Sequence, residues 1–205
     1  SQLVKRATDG TPWQKFIEYY RASLMSGFLT VGYNMAGNTT FLAQRNFLVE
    51  PGAALVGLIS RSPDRVTFTE VSARWYGSLI MAPVSMVRAG AAAFKNDGIR
   101  GPALAAWEAG QERSPGPVLN TGAVGKFTKA VYGTNSMLDA MFRTLHEQGE
   151  MYSLATKDAI KQGHEPGTLE FFREVKAMVE NPTDAMLEAA NKAGERAVFA
   201  TPMGD

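Results

Sequence analysis

From Ala22 to Gln44 the chain runs 23 residues without a charge, closed by Arg21 on one side and Arg45 on the other. That length is enough to cross a bilayer as a helix, which needs about 20 residues. Ser23, Ser26, Thr30, Asn34, Asn38, Thr39, Thr40 and Gln44 interrupt the apolar residues, as do Gly27, Gly32 and Gly37. A lipid-facing span is mostly apolar, and this one is only about half apolar. The stretch is therefore expected to leave water by packing on other protein, or by inserting as part of an assembly, where its polar groups find partners.

The rest of the chain reads as helix. Thr11-Pro12 suits a helix start, and Trp13, Phe16, Ile17, Tyr20 and Leu24 follow at spacings of three and four. A second helix is predicted from Thr30 to about Val49, stopped by Glu50-Pro51-Gly52, with a short apolar piece from Ala53 to Ile59. Thr67-Phe68-Thr69-Glu70 is a capping box, and the helix behind it is predicted to reach about Asn96. Within that helix, Trp75 to Val87 carries no charge between Arg74 and Arg88, a length that reads as a buried core segment.

Residues 97–135 are broken by Gly and Pro, with helices predicted at Ala103 to Gln111 and Ala123 to Tyr132. A long helix is predicted from Ser136 to Gln162, with Gly163 as its C-terminal cap residue. Further starts are read at Glu165-Pro166 and Asn181-Pro182. The predicted fold is all-α, an irregular bundle of about six to eight helices with Gly/Pro-rich connections.

Charge divides the chain. Residues 1–100 hold 11 Lys/Arg against 6 Asp/Glu, and residues 101–205 hold 10 against 14. A basic half, 1–100, with charge-poor helices thus precedes an acidic helical half, 101–205, and the two are expected to form one continuous structural unit. Opposite signs favour docking between halves or subunits; an Arg-rich half also suits phosphate or anionic lipid. Arg21, Arg45, Arg74 and Arg88, which flank the charge-poor segments, are the candidate phosphate or lipid contacts. The start at Ser1 fits either a removed initiator or an excerpt of a longer protein.

The residues offer little for catalysis. With no Cys there is no thiolate nucleophile, disulfide or thiolate zinc site. His146 and Glu150 share a helix face at a spacing of four, but zinc needs three or four ligands and His164 lies beyond the helix end. They read as solvated helix charges. A nucleophile elbow and a phosphate loop are both missing; Gly122-Ala123-Val124-Gly125-Lys126 lacks the spacing and the strand that a phosphate loop requires. No catalytic residue, metal ligand or cofactor is assigned, and the segment is not read as an enzyme.

Leu24-Met25-Ser26-Gly27, followed by Thr30, Asn34 and Gly37-Asn38, resembles a motif of large phage and mobile-element proteins. These are the internal virion proteins ejected with phage DNA and the large polyvalent proteins. The later order is also similar: an Ala-rich helix, a loop, a long helix near Asp139 to Ala159, and the ending Phe199-Ala200-Thr201-Pro202-Met203-Gly204. The likeness spans most of the chain, with Tyr33 standing where a basic residue is usual.

The resemblance implies a structural virion protein that sits inside the capsid near the portal, oligomerises with itself and other virion proteins, and helps carry DNA across the host envelope. DNA and the host membrane are its implied further partners. The alternative is a nucleic-acid-associating helical module of a polyvalent protein, whose Arg contacts would make binding fall with salt.

Overall fold

A computed structural model describes residues 12–13, 16–17, 19–20, 28–60, 65–96 and 122–197. Helix accounts for 91% of the described residues and none is in a strand, so the chain is all-α. Five continuous helices appear among the described residues. Helix α1, residues 28–60, joins α-helical Phe28–Gln44 and Glu50–Ser60 through a π turn at Arg45–Val49. Helix α2, Phe68–Asn96, carries a π turn at Tyr76–Met81. Helices α3 (Gly122–Lys161), α4 (Leu169–Glu180) and α5 (Asp184–Ala197) follow. Residues 12–13, 16–17 and 19–20 are helical too, and the rings of Trp13, Phe16 and Tyr20 stack along that segment. The helix predicted at Ala103 to Gln111 lies outside the described residues.

Two predicted breaks are continuous helix instead. Pro51 was expected to stop a helix, because it lacks an N–H and its ring crowds the carbonyl four residues back. A wide turn immediately before it absorbs that conflict. Glu50 N–H donates to Arg45 O, a bond to the fifth residue back. The same device precedes Pro83, where Ala82 N–H donates to Gly77 O.

The second predicted break, at Gly133-Thr134-Asn135, is bridged by side chains. Thr134 Oγ1 donates to Ala130 O at 2.9 Å and Asn135 Nδ2 to Val131 O at 3.3 Å. Bonded back to the preceding turn, these residues continue the helix rather than cap a new one. The result is a single 40-residue helix, about 60 Å long at the usual rise.

Helix ends follow local chemistry. Thr67 Oγ1 accepts from Glu70 N–H and donates to Glu70 Oε1 at 2.9 Å, so the capping box forms with the carboxylate on the hydroxyl. At the end of α3, His164 N–H donates to Ala159 O and Gly163 N–H to Ile160 O. This is the paired-bond stop that needs a left-handed residue, and Gly163 has φ +90°. Helix α4 starts after Thr168 rather than at Pro166, because Thr168 Oγ1 accepts from Phe171 N–H.

The chain divides into two compact units, Ser1–Ala36 with Arg88–Ala140, and Gly37–Val87 with Met141–Asp205. Each unit therefore draws on both the basic and the acidic half of the sequence. The first holds the aromatic stack and the buried Leu138. The second holds the main apolar core, where Met151, Tyr152, Ala155 and Ala159 of α3 meet Phe171 and Val175 of α4 and Met186 and Ala190 of α5. Ala73 of α2 packs at its edge.

The charge-poor segments turn out differently from a buried core. Leu79, Ile80, Met81, Val84 and Val87 of α2 are exposed, as are Leu55, Val56, Leu58 and Ile59 of α1. Helix α2 is long and apolar enough, by length and composition, to cross a membrane, and only 22% of its most apolar window is buried. A core helix would be mostly covered, so the reading of 75–87 as a buried core segment is corrected. Among the polar residues of the stretch 22–44 whose side chains are described, Asn38 is buried, whereas Asn34, Thr39, Thr40 and Gln44 face outward.

Candidate functional site

What the second unit buries under these apolar faces is charge. Arg45 is the first residue of the π turn of α1, and Glu50 closes that turn. Arg74 lies on α2 just before its own π turn, and Glu150 lies in the C-terminal half of α3. Arg45 Nη2 reaches Glu150 Oε2 at 2.7 Å, and Arg45 Nε reaches Glu50 Oε1 at 3.3 Å. Arg74 Nη1 donates to the same Glu150 Oε2 at 2.6 Å, and Arg74 Nη2 stands 3.4 Å from the same Glu50 Oε1. The four form a closed ring of alternating sign with no net charge. Their side chains are between 6% and 21% exposed, which puts the ring in a regime where ion pairs are weakly screened.

Glycines make this approach possible. A Cβ on Gly149 would lie 2.7 Å from Ser78 Oγ and 3.2 Å from Arg74 Cγ. A Cβ on Gly77 would lie 2.6 Å from the backbone oxygen of Gln148 and 2.8 Å from Tyr152 Cδ2. Helices α2 and α3 thus meet backbone to backbone, and the stem of Arg74 lies across Gly149 to reach Glu150.

The π turn of α1 supplies a second link. Glu50 N–H is spent on Arg45 O, and Pro51, the next residue, has no N–H to give. The carbonyl of Asn46 is thereby left without a helical donor, and the indole Nε1–H of Trp75 fills the place at 2.8 Å. The ring of Trp75 also meets Phe47, with centroids 5.4 Å apart. Asn46 itself is buried.

His146 completes the site. It is 3% exposed, its ring tilts against Phe41 at 5.4 Å, and its Nε2 has no hydrogen-bond partner. Burial first, then the guanidinium groups of Arg45 and Arg74, lower its pKa to about 4, against a smaller opposing pull from Glu150. The imidazole is therefore neutral at pH 7. The reading of His146 and Glu150 as solvated helix charges is corrected: one is buried and the other is locked between two guanidiniums.

The remaining sequence-selected residues are scattered. Arg45 and Arg74 come together, but their donors are turned onto Glu50 and Glu150 rather than offered to a phosphate. Arg88 is exposed on α2, and Arg21 lies outside the described residues. Thr30, Asn34, Gly37 and Asn38 all lie within one helical stretch of α1, with Asn34 and Gly37 exposed and Asn38 buried. No group of three or more His, Asp or Glu able to hold a metal occurs among the described residues.

Sequence reasoning missed Glu50 and the pairing itself. The available signal was the isolation of Arg45 and Arg74 in charge-poor helices, since an Arg there needs a carboxylate when buried. Comparison with protein-family models, with characterised proteins and with solved structures found no match to this chain.

Proposed function

We propose that the chain is a self-assembling structural subunit, in keeping with its resemblance to phage internal virion proteins, and that it is not an enzyme. In that role it acts in the virion interior near the portal and then at the host envelope, with other virion proteins, DNA and the host membrane as partners. The observation that carries this reading is the inverted arrangement of α1 and α2. Arg45, Glu50 and Arg74 turn inward to the ring, while Leu55, Ile59, Leu79, Ile80 and Val84 are exposed. Large apolar residues left exposed along both helices suit an interaction surface. Packing of further copies against it would bury what a monomer leaves in water. About six to eight helices, counting those beyond the described residues, complete the proposed subunit.

Mass photometry of the chain across a range of concentrations tests this. Discrete multiples of the 22.2 kDa chain are expected, collapsing to single copies in L79E/I80E/V84E. A single-copy mass at every concentration, with no flotation on liposomes, would overturn the reading. Tight, steeply salt-dependent DNA binding by a single-copy species would transfer it to the nucleic-acid module.

A further inference from the structure

The ring ties three helices together: Arg45 and Glu50 come from α1, Arg74 from α2, and Glu150 with its neighbour His146 from α3. We propose that this cluster is an acid-released clasp, which holds α1 and α2 on α3 at neutral pH and lets them part on acidification.

Charge balance is the first ground. Two guanidiniums are matched by two carboxylates in a largely buried site, so the ring has no spare negative charge for a further cation, and an uncompensated buried charge strongly destabilises the structure that holds it.

Histidine is the second. Protonated His146 would place a third cation beside Arg45 and Arg74, and its buried Nε2 would become a donor with no acceptor in reach. The sign follows from linkage. Its pKa is lowered to about 4 in the closed state and stands at 6.5 in a solvated one. The released state therefore binds the proton more tightly, and closure loses stability as pH falls from 6.5 towards 4. Between pH 7 and pH 5 this raises the released population about 20-fold from His146 alone.

Among the described residues, the nearby carboxylates are already engaged elsewhere. Glu70 of α2 is held by Thr67. On α3, Glu147 is bonded to Arg143 at 2.6 Å, and Arg143 also faces Glu195 of α5 at 3.8 Å.

Release is expected to be local. Helices α3, α4 and α5 share an apolar core of Met151, Phe171, Val175 and Met186, in which nothing titrates between these pH values. The clasp lies outside that core, so it opens first.

Hydrogen exchange read by mass spectrometry, at pH 7 and pH 5 and corrected for intrinsic rates, tests the proposal on the full chain. Peptides from 68–81 and 141–150 are expected to lose protection about 20-fold at pH 5, while peptides from 169–180 and 184–197 keep theirs. H146Q is expected to lose most of this pH response. A second variant guards against misfolding: R45M/E50L/R74M/E150L with H146Q replaces the cluster by apolar residues, and its protection is expected to be equal at both pH values. Three results would each overturn the clasp: unchanged protection in the native chain, an acid response in both variants as large as that of the native chain, or simultaneous loss across 169–197.

Discussion

Replacing Gly77 by Ala sets two helical effects against each other, and the structure decides which wins. In an open helix interior the change gains about 0.5–1 kcal/mol, because glycine loses more backbone freedom on folding. At Gly77 the new Cβ would lie 2.6 Å from the backbone oxygen of Gln148 and 2.8 Å from Tyr152 Cδ2. A side-chain end can swing away from such a contact, but a backbone oxygen inside a 40-residue helix cannot. Forcing α2 off α3 carries the usual overpacking cost of about 1–3 kcal/mol. The net expectation is a loss of about 1–2 kcal/mol.

Gly37 is the matched control. It is helical and exposed, and nothing lies within 4 Å of its would-be Cβ. Gly37→Ala is therefore expected to stabilise by about 0.5–1 kcal/mol. Urea unfolding followed by far-UV circular dichroism measures both, and the midpoints should move in opposite directions at an unchanged m value. Equal stabilisation by the two substitutions would refute the close crossing of α2 and α3, and with it the route by which Arg74 reaches Glu150.

Two further changes probe the site. Trp75→Phe keeps the ring against Phe47 but removes the donor to Asn46 O, and urea titration should show a loss of about 1–2 kcal/mol. Arg74→Met leaves Glu50 and Glu150 short of a cation and should cost about 3–5 kcal/mol, whereas apolar replacement of all four ring members should be close to neutral. If the single and fourfold variants unfold at the same denaturant concentration, the ring is not acting as a buried unit.

Local chemistry was legible in the sequence. Thr67 with Glu70 and Gly163 act within one turn of their own positions, so their roles appear in a short window of residues. The continuity of α1 past Pro51 was not legible, because a π turn leaves no mark in propensity or period. The join at Gly133 to Asn135 was hidden for a related reason: Thr and Asn favour caps, yet here both bond back to the preceding turn. The site depended on pairing across distance. Arg45 and Arg74 stood out as flanks of charge-poor segments, but Arg45 lies 105 positions from Glu150, and no local pattern links them. Apolar content likewise did not reveal which way a helix faces: Trp75 to Val87 has a core-like composition and an outward-facing side.

The π turns of α1 and α2 are also a record of length. Each accommodates one residue more than an α-helical path would need, so each can be viewed as a single-residue insertion absorbed without breaking the helix. An insertion of that kind turns everything on one side of it by about 100° relative to the other. In α1 this rotation sets the phase between Asn38 on one side and Ala54 on the other, both buried. Shortening Arg45–Val49 by one residue would restore regular α geometry at the cost of swinging Arg45 away from Glu150. Homologues of this chain, compared by length alone, should therefore keep or lose the surplus residue together with the arginine that depends on it.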